Sequence, residues 1–194
     1  MSHVKNKKLL ALALIVIAGG AFWLYNRTTP TDMEYRSEAA TLAAKQDWNS
    51  LEKLAQRWSS HHPQSGMSYA ATGDVYRMRG NYAKAAAEYA TATFYEKENP
   101  QLHALLGIMM LETGAFDKAI DACTKSTRLA SNYPDGWYCL SLAYAETGKP
   151  QEATDALRVL AKANQQLHET ARNIIKTHTC KRGSLDPSSN LCSP

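Results

Sequence analysis

Residues 66–99 read GMSYAATGDVYRMRGNYAKAAAEYATATFYEKEN, and residues 100–133 follow directly as PQLHALLGIMMLETGAFDKAIDACTKSTRLASNY. Laid over each other, the two share a pattern that residues 134–167 continue. Gly80, Gly114 and Gly148 are 34 residues apart, twice, and Pro100 and Pro134 keep the same interval. Tyr82 and Phe116 follow their glycines by two residues, and Ala85, Ala119 and Ala153 follow theirs by five. Gly73 and Gly107 precede theirs by seven, with Ser141 in the third copy, and Tyr76, Met110 and Tyr144 precede by four. One glycine of this kind is noise; columns that agree at one period are a structural repeat.

Within each copy the apolar residues recur every three or four positions, as in Leu102, Leu105, Leu106, Met109 and Met110, which marks helices. Helices this short are marginal alone and become stable when each pair covers the apolar face of the next. No stretch alternates strictly with β-branched enrichment, so no strands are expected. The columns and the period resemble the tetratricopeptide repeat. Tyr69, Gly73, Tyr76, Gly80, Tyr82, Ala85, Tyr89 and Ala92 match that family in one unit, and Trp137, Leu140, Tyr144, Gly148 and Ala153 in the last. The resemblance implies an all-α solenoid of antiparallel helix pairs, with units at 66–99, 100–133 and 134–167. Counting back one period gives a degenerate unit at 32–65 that keeps Trp48 and Pro63 but has Ala39 and Gln46 in the glycine columns. A worn first unit is expected where a repeat caps a stack. Residues 165–179 read as one capping helix, with Leu167, Ala171, Ile174 and Ile175 on one side, and 180–194 as a disulfide-closed or flexible tail.

The N-terminus reads as an address. Residues 1–8 carry Lys5, Lys7 and Lys8 and no acid, and residues 9–25 run LLALALIVIAGGAFWLY without a charge. As a helix this run would be roughly 25 Å long, at the short end of a bilayer span. Trp23 and Tyr25 stand at its far end, where amphipathic rings favour the headgroup layer. Beyond them Arg27 and Arg36 are diluted by Asp32, Glu34 and Glu38. Positive residues stay inside. The expectation is therefore a cytoplasmic segment 1–8, a transmembrane signal-anchor 9–25, a linker 26–31 and an exported repeat domain. That places the chain in a bacterial inner membrane as a single-pass protein with its repeats in the periplasm. Two readings compete: a buried soluble helix, which the lack of a polar face opposes, and a cleaved signal peptide, since Gly19, Gly20 and Ala21 offer small residues to a peptidase. Against it, Phe22, Trp23, Leu24 and Tyr25 prolong the apolar run past that site.

Composition narrows the function. The chain has 194 residues, 44% hydrophobic and 21% charged, with a net charge of +4, which fits a globular domain. No basic run interleaves with aromatics, so nucleic acid is not an expected partner. There is no GxSxG, P-loop, HExxH or GxGxxG motif, and no CxxC pair. His61 and His62 precede Pro63 in an expected turn without convergent ligands, so no metal is expected. His178 and Cys180 are close in sequence, but a catalytic pair needs a reactive thiol in a formed pocket. Asp117 and Asp121 lie four apart on one helix and read as a solvated face. We expect no catalytic residue, no cofactor and no small-molecule substrate.

An even count of four cysteines in an exported chain points to disulfides. Cys180 and Cys192 sit in a polar tail, where a bond would close a 13-residue loop. In the chain-entropy account that closure contributes about 3 kcal/mol. Cys123 and Cys139 fall on helices that pack together in the family that the repeats resemble. A staple and two small buried thiols are both open there.

Stacked pairs make a concave surface. The resemblance places its lining on the first helix of each pair. By column these positions are Met33, Arg36, Ala40, Ala43 and Ala44; Met67, Ala70, Asp74, Arg77 and Met78; Gln101, Ala104, Ile108, Leu111 and Glu112; and Asp135, Tyr138, Leu142, Ala145 and Glu146. Members that clamp a C-terminal carboxylate use Lys and Asn at columns that hold Ala70, Asp74, Ile108 and Glu112 here, so that clamp is absent. A mostly apolar peptide or helix suits the lining better. The candidate binding residues are Met67, Asp74, Arg77, Met78, Gln101, Ile108, Leu111, Glu112, Tyr138, Leu142 and Glu146. The expected function is a non-catalytic scaffold that helps assemble an envelope complex, such as a secretion system, a pilus or the cytochrome c maturation machinery. A periplasmic binder of unfolded clients is the alternative, and a thiol oxidoreductase or envelope hydrolase the least supported.

Overall fold

The computed structural model describes residues 29–183, 185 and 190–192, with the side chains of His178 and Arg182 excepted. The anchor expected at 9–25, its flanking lysines and Arg27 lie outside the described residues. Among those described, no helix is long and apolar enough to cross a membrane.

Nine consecutive helices carry the described fold: α1 Asp32–Ala44, α2 Trp48–His61, α3 Gly66–Met78, α4 Tyr82–Tyr95, α5 Pro100–Glu112, α6 Phe116–Leu129, α7 Pro134–Glu146, α8 Pro150–Ala163 and α9 Gln165–Ile174. No strand occurs among the described residues. From α1 to α8 the lengths alternate between 13 and 14 residues, so the first unit keeps the metre of the others despite its altered sequence.

The helix ends follow from local chemistry. Thr31 and Glu34 close a capping box at the start of α1, with the Thr31 amide donating to the Glu34 carboxylate at 2.6 Å. Asp47, Asn81, Asn99 and Asn164 each accept an orphan amide at the start of their helices. Pro100, Pro134 and Pro150 occupy first-turn positions that need no donor. The turns inside the pairs are copies of one another. The amides of Asn81, Ala115 and Lys149 reach back to the carbonyls of Tyr76, Met110 and Tyr144 at 2.9, 2.8 and 2.8 Å. Gly80, Gly114 and Gly148 supply the positive φ (72°, 75° and 70°) that this helix termination demands. In the first unit Gln46 takes the same conformation at φ 57°, and Asp47 donates to Leu42 at 3.0 Å. The turn is therefore kept where the glycine is lost.

Packing runs from each helix to the next, as in a solenoid, with additional contact of α5 with α7 and of α7 with α9. Small residues mark the close crossings. A Cβ on Gly73 would meet the Tyr89 ring at 3.0 Å, and one on Gly136 the Ser126 hydroxyl at 2.9 Å. Tyr35 stacks on the buried Trp58 at 5.7 Å, and Trp58 Nε1 donates to Asp32 at 2.8 Å, which locks the first pair. Cys123 and Cys139, both wholly buried, are joined across α6 and α7.

The C-terminal segment departs from the single helix read over 165–179. After α9 the path widens into a π turn, Ile175–Thr179, and runs on into one α turn, α10, Cys180–Arg182. The wide turn buries both Ile175 and Thr179, and the Thr179 hydroxyl donates to Glu146 at 2.8 Å. The tail also carries more apolar material than expected. Leu185 is 2% exposed and packs with Leu157, Leu160, Ala171 and Ile175, and Cys180 is bonded to Cys192 over it. Burying one leucine contributes about 1.5–3 kcal/mol, comparable to the loop closure itself.

Candidate functional site

The first helices of the pairs, α1, α3, α5 and α7, share one side of the solenoid, and two depressions lie on it. The larger, of about 440 Å³, runs between α5 and α7. Ile108, Leu111 and Glu112 face it from α5, and Tyr138, Leu142 and Glu146 from α7. These spacings of three and four place each set on one helix face. Gly114 and Phe116 close it at the turn after α5, and Ile174 at the end of α9. Six of the eleven residues expected from the columns thus converge in one pocket. Among the described residues its charged lining is Glu112 and Glu146, both acidic, and Glu146 also accepts from Thr179. Burial, followed by the fields of Glu112 and Asp135, pushes the Tyr138 phenol above its ordinary value. Its hydroxyl therefore stays protonated and able to donate.

The smaller depression, of about 190 Å³, lies between α1 and α3. Arg36, Ala40 and Ala43 face Met67, Ala70 and Asp74, while Leu51 and Trp58 of α2 form part of its lining. The remaining expected positions behave differently. Arg77 is bound to Asp74 at 2.9 Å and lies 3.3 Å from the Tyr89 hydroxyl, which itself donates to Asp74 at 2.7 Å. Burial opposes the Arg77 charge, but these bonds more than offset it and raise its pKa. Arg77 and Asp74 therefore hold the buried Tyr89 in place; Asp74 also lines the smaller depression, and Arg77 lines neither. Met78 is 45% exposed at the end of α3, and Gln101 is exposed in the first turn of α5; neither lines either of these two depressions. Ala104 and Ala145, also carried by column, are 1% and 0% exposed and belong to the core.

Sequence columns did not mark Phe116 or Ile174 as lining residues. Phe116 matches Tyr82 in a packing column, and Ile174 lies on a helix beyond the repeat. The other candidates are placed as follows. His61 Nδ1 lies 2.7 Å from the Tyr35 hydroxyl and His62 Nε2 is 2.9 Å from the Pro30 carbonyl. Among the described residues no group of three or more His, Cys, Asp or Glu converges as a metal site requires. Cys180 is in a disulfide, so a Cys180–His178 nucleophile has no thiol. Asp117 and Asp121 are exposed on α6.

A 34-residue helix pair, a positive-φ turn in every copy and a lined groove on the first helices agree with the family comparison, in which the tetratricopeptide repeat model matches residues 70–134. Over those residues the chain is similar to the tetratricopeptide repeat family. Solved structures of tetratricopeptide and related proteins share the fold. YrrB, described as a TPR protein with an unusual peptide-binding site, superposes with a TM-score of 0.67 over 84% of each chain at 15% identity. MamA gives 0.64 over 77% of this chain and 81% of that one at 18% identity. The pilF protein of Pseudomonas aeruginosa gives 0.61 over 73% of each at 13% identity. Identities this low establish the fold alone. No curated protein sequence matches the chain closely enough to count as a relative. Tetratricopeptide stacks build extended concave surfaces for protein partners.

Proposed function

We propose that this chain is a non-catalytic adaptor that holds a protein segment in the pocket between α5 and α7. The single observation that carries the reading is the convergence of Ile108, Leu111, Tyr138 and Leu142 on one pocket whose charged lining groups, among the described residues, are carboxylates. That lining selects a segment with apolar side chains beside a lysine or arginine, since Coulomb attraction to Glu112 strengthens in a partly desolvated groove. The peptide-binding site in the description of YrrB supports a peptide as the ligand class on this fold.

The cellular setting belongs to the same proposal. The uncharged run 9–25 behind Lys5, Lys7 and Lys8 supports a single inner-membrane anchor with the N-terminus in the cytoplasm and the repeats in the periplasm. Two disulfides and no free cysteine among the described residues suit an oxidising compartment. There the adaptor assists assembly of an envelope complex such as a secretion system, a pilus or the cytochrome c maturation machinery. Selection from a random peptide display library tests the ligand class. The expected outcome is enrichment of apolar residues flanked by Lys or Arg. Enrichment of acidic peptides would contradict the proposal, and sequence-blind capture of unfolded chains would replace the adaptor with a client binder.

A further inference from the structure

Among the described residues, the exposed large apolar side chains fall at both ends of the helix stack, Met78 and Tyr82 at one and Met33, Phe94 and Tyr95 at the other, which carries the two most exposed. That end collects the N-termini of α1, α3, α5 and α7 and the C-termini of α2, α4, α6 and α8. Met33 is 74% exposed there, Phe94 65% and Tyr95 39%. Tyr95 stacks on Tyr69 with ring centroids 5.6 Å apart, and Phe94 meets Tyr95 edge-on at 5.1 Å. Lys97 Nζ lies 5.5 Å from the centre of the Phe94 ring. The neighbouring acids are engaged: Glu96 pairs with Arg36 at 2.9 Å and Glu98 with Lys125 at 3.8 Å. The side presented outward thus joins a cluster of aromatic rings, the Lys97 ammonium and the exposed Glu98 carboxylate.

The chain also enters the fold at this end. The Pro30 carbonyl accepts from His62 Nε2 at 2.9 Å, and Thr31 caps α1. Only four residues, Asn26, Arg27, Thr28 and Thr29, separate Pro30 from Tyr25, the last residue of the uncharged run. The five Cα-to-Cα steps between them reach at most roughly 18 Å. A domain tethered so briefly has its entry end within reach of the bilayer surface. Aromatic rings and lysine favour the headgroup layer, where the rings are half desolvated and the ammonium meets phosphate.

We infer that the end bearing Met33, Phe94, Tyr95 and Lys97 rests on the lipid headgroups, so that the repeat domain lies against the membrane rather than hanging free of it. This rests on the anchored reading of residues 9–25.

The test uses the full chain, labelled with 13C-methyl methionine, in phosphatidylcholine nanodiscs containing a gadolinium-chelate headgroup lipid. Met33 reports the entry end and Met78 the opposite end, and Phe94→Met adds a reporter far from the tether in sequence. Unshifted resonances of Met109, buried in the core, and of its neighbour Met110 show that the variant is folded. The expected result is broadening of Met33 and of the position-94 methyl several-fold above that of Met78. Broadening of Met33 with position 94 no more affected than Met78 overturns the inference while leaving the anchor intact, and assigns the aromatic edge to a protein partner or to solvent. Loss of the full chain from vesicles in an alkaline flotation removes the anchor itself, and with it the inference.

Discussion

Gly107 lies so close to Cys123 that a Cβ built on the glycine would fall on the Cys123 sulfur, with Cys139 Sγ at 2.8 Å. The absence of a side chain at 107 is what allows α5, α6 and α7 to meet around the bond. Gly107→Ala should therefore lower stability by about 1–3 kcal/mol through overpacking. It should also leave a measurable fraction of Cys123 and Cys139 as free thiols. Gly114→Ala is the control: a Cβ there meets nothing within 4 Å, and only the positive φ of 75° resists it, at about 1–2 kcal/mol. Calorimetry with thiol titration separates the two, since only the first should change the thiol count.

Gln46 adopts the turn conformation that glycine holds in the other units. A Cβ in the left-handed region costs about 1–2 kcal/mol. The extra freedom of glycine in the unfolded chain costs about 0.5–1 kcal/mol. The difference favours the substitution, so Gln46→Gly should raise the melting temperature by a few degrees. A lower melting temperature would show that the Gln46 side chain supports the first turn.

The tail is fastened by Leu185 as well as by the Cys180–Cys192 bond. Leu185→Ala should cost about 2–5 kcal/mol if the site is as tightly packed as its 2% exposure indicates. Cys180→Ser with Cys192→Ser should make the segment after Arg182 sensitive to limited proteolysis. Resistance equal to the parent protein would show that Leu185 alone holds the tail.

Asp74 lines the smaller depression, and with the half-buried Arg77 it also holds the hydroxyl of the buried Tyr89. Asp74→Ala leaves the buried Tyr89 hydroxyl and the Arg77 guanidinium short of an acceptor, at about 1–3 kcal/mol. Tyr138→Ala should instead keep most of the stability and lose peptide binding by about tenfold or more, as aromatic anchors do. Thermal melts beside peptide titrations distinguish the two. Equal loss of stability in both variants would place Tyr138 in the core.

The repeat was legible because glycine at 80, 114 and 148 answers a backbone demand that recurs with the chain's own period. Gln46 was not legible as the same turn, since a residue forced into positive φ by its surroundings carries no mark of it. The pairing of Cys123 with Cys139 stayed open because two core columns do not reveal whether their sulfurs touch or merely pack. Ile108, Leu111, Tyr138 and Leu142 could be placed by column, whereas Ile174 lies on α9, which leaves the 34-residue period and takes its direction from packing on α7 and α8. Leu185 is a single apolar residue in a polar tail, and one residue has no periodicity to read. The polar bonds of Asp74, Arg77 and Tyr89 were hidden for a similar reason: spacing gives a face, not a partner.

A partner segment held in the pocket between α5 and α7 lies within reach of Leu111. Photocrosslinking of a display-selected peptide, with benzoylphenylalanine placed in turn at Leu111 and at Asp121, tests it most directly. Leu111 faces the pocket, and Asp121 is exposed on α6. The expected outcome is a strong adduct at 111, abolished by excess unlabelled peptide, and none at 121. An adduct at 121 as strong as that at 111 would contradict it.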